Sequence, residues 1–192
     1  MNDYIFDLDG TLIDSSVDII NSIEKSYKSV MKKVINVDKK LIYGSFSTIL
    51  SNIDNSLTEE EKHRINEEYR KIYNNCGFPN TKAYPYVVDI LSKYSCYLVT
   101  SKPLNSTLLV ISKLSEKGIY LNFENMVCGK DKVIGIKETI KTMKLKDSIY
   151  IGDTKDDMLA AKKAKVKYIH ALYGFQGDIG AKDNINSIGE LL

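Results

Sequence analysis

Several features that mark particular protein classes are scarce or absent in this 192-residue sequence. No apolar run approaches the roughly 20 residues that a membrane helix needs. The first residues, 1–3, do not begin the basic and then apolar pattern of a signal peptide. The three cysteines (Cys76, Cys96 and Cys128) are odd in number and lack the spacing of metal ligands. The sequence therefore predicts free thiols, a cytoplasmic location and no association with a membrane.

An excess of one sign of charge is also absent. The sequence has 27 Lys and Arg against 25 Asp and Glu, a net charge of +2, and this balance does not suggest the basic stripe of a nucleic-acid-binding protein. Hydrophobic residues make up 43% of the chain and charged residues 27%, which is typical of a globular protein. We expect a monomer or homodimer whose partner is a small molecule and not a nucleic acid.

Short apolar runs alternate with amphipathic segments along most of the chain. Runs this short, flanked by turn residues, are typical of strands that are buried on both faces. Strands that alternate with helices predict an α/β fold, a doubly wound parallel sheet of the Rossmann-like kind. The runs cover residues 4–6, 96–99, 126–128, 149–151 and 166–172, and the amphipathic segments cover residues 86–94, 103–117, 133–144 and 156–164.

The spacing of the runs also locates an insertion. Eighty-nine positions separate Thr11 from Thr100, whereas a whole strand–helix–strand unit takes only about 30 residues. The surplus is helical in character, because Ile19, Ile23 and Tyr27 recur at intervals of four. We therefore predict a core domain of residues 1–14 and 83–192 and a small helical cap domain of residues 15–82.

Acidic and hydroxyl side chains follow three of the predicted strands. Asp7 and Asp9 follow the first strand, Thr100 follows the second, and Asp153 follows the fourth. Because ligands of open α/β sheets bind at the carboxyl ends of the strands, we expect these side chains to share one site. Clustered carboxylates repel one another unless a cation intervenes, and hard oxygen ligands fit Mg²⁺. A Mg²⁺ site beside hydroxyl and lysine side chains indicates phosphate chemistry.

These residues resemble the signature motifs of one superfamily. The run Asp7-Leu8-Asp9-Gly10-Thr11-Leu12, Thr100 after an apolar strand, and Gly152-Asp153 with Asp157 resemble the haloacid dehalogenase-like (HAD) hydrolases. Within that superfamily the chain is similar to the phosphoglycolate-phosphatase-like branch, whose helical cap is inserted directly after the first motif. Residues 168–175 also resemble the end of that branch's core.

The resemblance implies a role for each acidic residue. Asp7 would be the nucleophile that forms an aspartyl-phosphate, and Asp9 would be the general acid and then the general base. Mg²⁺ would bind the Asp7 carboxylate, the Asp9 backbone carbonyl and the Asp153 carboxylate. Asp157 would support the metal site without ligating the ion.

The resemblance also implies a set of phosphate-binding groups. Thr100 and the backbone of Ser101 would hydrogen-bond the phosphoryl oxygens. The phosphate-binding lysine is expected where a helix begins, near Val133, which favours Lys132. Lys137, more than one turn further along the same helix, remains the alternative.

The leading prediction is a Mg²⁺-dependent phosphatase of a small phosphorylated metabolite, such as phosphoglycolate, a sugar phosphate or a nucleotide. A phosphomutase of the same superfamily is the closest alternative, although Thr11 resembles the phosphatase version of the motif. A catalytically silent binding protein is a third possibility, and the presence of Asp7, Asp9 and Asp153 disfavours it. The carboxylate at position 9 disfavours the branches that dehalogenate or pump ions.

Overall fold

The structure, a computed structural model, describes residues 3–192. The chain divides into two compact units. One is formed by the residues up to Asp14 together with Lys82–Leu192, and the other is formed by Ser15–Thr81. The helices and strands follow one another in this order: β1 (Asp3–Phe6), β2 (Ile13–Asp14), α1 (Ser16–Met31), α2 (Phe46–Ile53), α3 (Glu59–Asn74), β3 (Lys82–Ala83), α4 (Val87–Lys93), β4 (Cys96–Thr100), α5 (Leu104–Glu116), β5 (Asn125–Cys128), α6 (Lys132–Met143), β6 (Ser148–Gly152), α7 (Lys155–Ala164), β7 (Lys167–Ala171) and β8 (Asn184–Ile185).

The first unit is built on a six-stranded sheet with the strand order β5-β4-β1-β6-β7-β8. Every neighbouring pair in this sheet is parallel; Ile5, for example, lies opposite Tyr97 on one side and Tyr150 on the other. The carboxyl ends of its strands therefore meet at one edge. The prediction of an α/β fold with a parallel sheet is confirmed.

The central strands lie in the hydrophobic core of this unit. Every residue of β4 and β6 is buried, which explains why their inner residues, 96–99 and 149–151, form apolar runs that do not alternate with polar residues. On one face the strands pack against α6 and α7, and this cluster is formed by Ile5, Tyr97, Val99, Val127, Ile136, Tyr150, Ala160 and Ala161.

A two-stranded antiparallel ribbon lies where the chain leaves the first unit and where it returns. Ile13 of β2 pairs with Ala83 of β3, and Asp14 pairs with Lys82. The two passages of the chain therefore run side by side at this point.

The second unit is helical. Tyr27, Leu50, Leu57 and Ile65 form its buried cluster. Helix α3 begins with a capping box: the Thr58 side chain accepts a hydrogen bond from the backbone N–H of Glu61, and the Glu61 side chain accepts one from the backbone N–H of Thr58. That the second unit acts as a cap domain stays a prediction.

Within residues 3–192, no helix is both long and apolar enough to cross a membrane.

Candidate active site

The shared edge of the sheet gathers polar side chains from three neighbouring strands. Asp7 directly follows β1, Thr100 ends β4, and Asp153 directly follows β6; all three are buried. Lys132 and Asp157 come from the first turns of α6 and α7, which begin at the same edge. Buried polar groups of this kind need partners, so the contacts between them define the site.

Three of these carboxyl groups form a tight cluster. Asp7, Asp153 and Asp157 are all buried and each offers an oxygen that lies within 4.8 Å of the others. Burial raises the pKa of Asp7 to about 6, with smaller upward contributions from Asp157 and Asp9 that Lys132 opposes. Burial and the neighbouring carboxylates Asp157 and Asp7 also raise the pKa of Asp153 well above its usual range. The cluster therefore favours a bound cation or bound protons.

Lys132 lies among the same carboxylates. Its Nζ is 3.0 Å from Asp7 Oδ2 and 2.6 Å from Asp157 Oδ1. Burial alone would lower the pKa of this ammonium group, but Asp157 and Asp7 outweigh it and raise the pKa above its usual value. Helix α6 begins at Lys132 because Asp131 caps it, accepting a hydrogen bond from Ile134 N at 3.1 Å. Lys137, further along α6, is exposed, so of the two candidates the structure brings Lys132 to the carboxylates.

Both oxygens of Asp157 are already engaged. Oδ1 accepts hydrogen bonds from Lys132 Nζ and, at 2.8 Å, from the Tyr150 hydroxyl. Oδ2 accepts hydrogen bonds from the backbone N of Thr154 at 3.1 Å and from the Thr154 hydroxyl. Thr154 and Asp157 together form the capping box at the start of α7. Four donors hold this carboxylate, an arrangement that suits a residue that supports a metal site and does not ligate the ion.

The carboxylate of Asp153 is held by the chain on two sides. The Thr11 hydroxyl donates to Oδ1 at 3.1 Å and the backbone N of Phe175 donates to Oδ2 at 2.7 Å. The chain passes very close to this group at two glycines. A Cβ at Gly10, where φ is +81°, would lie 2.1 Å from Asp153 Oδ2, and a Cβ at Gly174 would lie 2.1 Å from Asp153 Cβ. Both positions therefore require the absence of a side chain.

The donor set fits a divalent, hard cation. Asp7 Oδ1 is buried and has no hydrogen-bond partner among residues 3–192, although a buried carboxylate oxygen ordinarily has one. Three carboxylates and one ammonium group leave the cluster with a surplus of negative charge. Its oxygen donors are of the kind that Mg²⁺ prefers, with neither His nor Cys in the cluster.

A second ion pair lies beside the cluster. Lys102 Nζ is 2.9 Å from Asp9 Oδ2, and both side chains are largely buried. Its position two residues after Thr100, at the edge shared by the strand ends, lets Lys102 reach a substrate, although the sequence alone does not place it among our predicted site residues. The Thr100 hydroxyl accepts a hydrogen bond from the backbone N of Lys102 at 3.2 Å, and Ser101 is exposed in the same turn. The roles of Thr100 and Ser101 in binding phosphate stay predictions.

Comparison with known proteins identifies clear relatives. Residues 4–171 match the sequence model of the family described as haloacid dehalogenase-like hydrolase. The chain is 28% identical over 188 residues to a phosphoglycolate phosphatase of Aquifex aeolicus, an alignment that covers 89% of this chain and 84% of the relative. It is 25% identical over 192 residues to a phosphoglycolate phosphatase of Vibrio parahaemolyticus, with 88% and 83% covered.

Solved structures show the same fold. A phosphatase from Clostridium acetobutylicum, described as predicted, superposes with a TM-score of 0.82 at 27% identity, and the match covers 99% of this chain and 95% of that one. A haloacid dehalogenase-like hydrolase from Streptococcus pneumoniae superposes with a TM-score of 0.83 at 23% identity and covers 100% and 96%. The likeness to the second structure shows the fold alone.

Proposed function

Because the chain belongs to the haloacid dehalogenase-like hydrolase family, we propose that it is a Mg²⁺-dependent phosphatase that acts through an aspartyl-phosphate on Asp7. The family and the class of phosphoric monoester hydrolase, both predicted from the sequence, are confirmed by the family match and by the relatives. The observation that carries the finer proposal is the buried cluster in which Asp7 lies beside Asp153, Asp157 and Lys132.

In the first half of the proposed reaction, an oxygen of Asp7 attacks phosphorus and the bond from phosphorus to the ester oxygen breaks. Asp9 acts in its protonated form, released from the ion pair with Lys102, and gives its proton to the departing oxygen, so the product leaves as an alcohol. Lys132 holds Asp7 Oδ2 at 3.0 Å, which orients the nucleophile and places a positive charge beside the negative charge of the phosphoryl group.

In the second half, a water molecule attacks the phosphorus of the aspartyl-phosphate. Asp9 takes a proton from this water, the bond between phosphorus and Asp7 breaks, and the enzyme returns to its starting state with inorganic phosphate released. Thr100 and the backbone of Ser101 are proposed to bind the phosphoryl oxygens throughout.

The residues proposed to hold the metal are the carboxylates of Asp7 and Asp153 and the backbone carbonyl of Asp9. A bound Mg²⁺ would neutralise charge on the phosphoryl group and on the carboxylates around it. Asp157 is proposed to act on this site through Lys132, whose Nζ it contacts, and through the start of α7.

Phosphoglycolate is the first substrate to consider, because the relatives of Aquifex aeolicus and Vibrio parahaemolyticus are named phosphoglycolate phosphatases. Sugar phosphates and nucleotides are the other candidate classes. We propose that the helical unit, Ser15–Thr81, carries the selectivity between them.

The test is the release of inorganic phosphate from phosphoglycolate, a hexose phosphate and a nucleoside monophosphate, each with Mg²⁺ and with excess chelator. We expect turnover of at least one compound, its loss on chelation and its recovery on adding Mg²⁺. Asp7→Asn is the control for contaminating phosphatases, because it keeps the size of the side chain but cannot form the acyl-phosphate.

Three results would contradict the proposal. Full turnover in excess chelator would remove the role of the metal. An isomerised hexose phosphate without free phosphate would identify a phosphomutase. Binding of these compounds without any turnover would favour a silent binding protein.

A further inference from the structure

The reaction as proposed makes no use of a buried polar pair on strand β7. Tyr168 and His170 are two residues apart on this strand, so their side chains lie on the same face of the sheet. His170 is fully buried and Tyr168 is partly buried. Strand β7 pairs with β6, and His170 lies opposite Gly152, the last residue before Asp153. The pair therefore stands directly beside the turn that carries a proposed metal ligand.

The hydroxyl of Tyr168 contacts the main chain on both sides of Asp153. It lies 2.9 Å from the carbonyl oxygen of Gly152 and 3.2 Å from the carbonyl oxygen of Thr154. Strand β6 ends at Gly152 and helix α7 begins at Lys155, so Asp153 lies in the short turn between the two elements. A hydroxyl shared between the two flanking carbonyls limits the movement of this turn.

His170 connects the Tyr168 hydroxyl to the loop after β7, which also holds the Asp153 carboxylate. Its Nδ1 is 3.0 Å from the Tyr168 hydroxyl and its Nε2 is 2.5 Å from the carbonyl oxygen of Gly177. A carbonyl oxygen can only accept, so Nε2 carries a hydrogen and donates it. Because the single hydrogen of the Tyr168 hydroxyl points to the flanking carbonyls, Nδ1 donates to the hydroxyl oxygen. Gly177 lies in the loop between β7 and β8, and in that loop the backbone N of Phe175 donates to Asp153 Oδ2.

We propose that Tyr168 and His170 are positioning residues for Asp153, and that they raise the affinity of the site for a divalent cation. Tyr168 fixes the main chain at Gly152 and Thr154, and His170 ties Tyr168 to the loop that holds the Asp153 carboxylate. Groups behind a metal ligand commonly change metal affinity by about 10–100-fold when they are removed. This inference rests on the proposed function, because it assigns Asp153 to a metal.

The test replaces Tyr168 with Phe, which keeps the ring and removes the hydroxyl alone. Binding of Mn²⁺, used as the probe ion without substrate, is measured by electron paramagnetic resonance. We expect the dissociation constant to rise by about 10–100-fold. We also expect the Mg²⁺ concentration for half-maximal phosphate release to rise by the same factor, while kcat at saturating Mg²⁺ stays close to that of the parent protein.

The matched control is Tyr94→Phe. The Tyr94 hydroxyl donates to a backbone carbonyl, that of Leu191, at 2.9 Å, so this variant loses the same kind of hydrogen bond outside the site. Its affinity for Mn²⁺ should equal that of the parent protein. Thermal melts without metal show whether each variant is folded. If Tyr168→Phe gives no cooperative melt, His170→Gln replaces it, and the same rise in the dissociation constant for Mn²⁺ is expected.

Unchanged Mn²⁺ affinity in a folded Tyr168→Phe protein would overturn the inference. An equal loss of Mn²⁺ affinity in Tyr94→Phe would overturn it as well. These results differ from a failure of the proposed function. In that case the parent protein itself would neither bind Mn²⁺ nor release phosphate.

Discussion

Replacing Lys132 with Met tests the centre of the site. Lys132 Nζ lies 3.0 Å from Asp7 Oδ2 and 2.6 Å from Asp157 Oδ1, and the three side chains are 14%, 7% and 0% exposed. Met keeps much of the length of the side chain but removes the positive charge, so two buried carboxylates lose their cation. Removing one partner of a buried ion pair costs about 3–5 kcal/mol. For a protein of this size, that loss should lower the melting temperature by about 6–20 °C.

The melting temperature should be measured in chelator at pH 7.5, above the pKa of about 6 that Asp7 has in the parent protein. Lys132 lowers the pKa of Asp7, so in Lys132→Met this pKa rises further and Asp7 relieves part of the repulsion by taking up a proton. The loss of stability should therefore lie toward the lower end of this range. Phosphate release should be measured separately at saturating Mg²⁺. There we expect kcat to fall by about 10²–10³-fold, the usual effect of losing one group that stabilises developing negative charge.

Lys137→Met is the matched control, because Lys137 lies on the same helix and is exposed. Its effect on the free energy of unfolding should stay within about 0.5 kcal/mol, and its turnover should match that of the parent protein. Loss of activity in Lys137→Met, with activity kept in Lys132→Met, would refute this role for Lys132. An unchanged melting temperature of Lys132→Met in chelator would refute it as well.

Three further predictions concern the same edge of the sheet. Asp9→Asn should slow turnover of alkyl phosphates by about 10²–10⁴-fold; an aryl phosphate should still phosphorylate Asp7, and mass spectrometry should detect the trapped phosphoryl group. Gly10→Ala should destabilise the protein more than Gly118→Ala in thermal melts, because both have a φ near +80° but only at Gly10 would a Cβ meet Asp153. In chelator, lowering the pH from 7.5 to 5.5 should raise the free energy of unfolding, measured by denaturant titration, by about 1 kcal/mol through Asp7. The pKa of Asp7 is raised to about 6 in the folded protein, so protonation of Asp7 stabilises the fold at low pH and this stabilisation is lost as the pH rises through 6. Saturating Mg²⁺ should remove this pH dependence.

Strands β1, β4, β5, β6 and β7 and their shared edge could be predicted because each has a local signal, whereas the two-residue strands β2, β3 and β8 are too short to have one. A strand buried on both faces is continuously apolar, and the predicted runs at residues 149–151 and 166–172 correspond to β6 and β7. Parallel pairing follows from the helices between the strands, so polar residues at successive strand ends had to meet. The position of Lys132 followed in the same way from where its helix begins.

The interactions around Asp153 and Asp9 have no such signal. Thr11 lies 142 positions from Asp153, and Lys102 lies 93 positions from Asp9. Periodicity reports which face of its own element a residue occupies, and it does not report which distant group that side chain meets. Tyr168 illustrates the difference: as an apolar strand residue it could be predicted, but its hydroxyl contacts with Gly152 and Thr154 depend on the pairing of β7 with β6.

By itself, the sequence determined the order of the main strands and the helices between them, the family, and the acidic residues that we propose carry the chemistry. These properties depend on local patterns and on short motifs such as Asp7-Leu8-Asp9-Gly10. Only the tertiary structure decided how the charges are balanced: Asp157 is bound by four donors, one oxygen of Asp7 has no hydrogen-bond partner within the described part of the chain, and Lys132 is shared between the two carboxylates. The physical reason is that a buried charge is stabilised by the groups folding brings within about 3 Å of it, and distances of that size depend on packing between elements far apart in the chain.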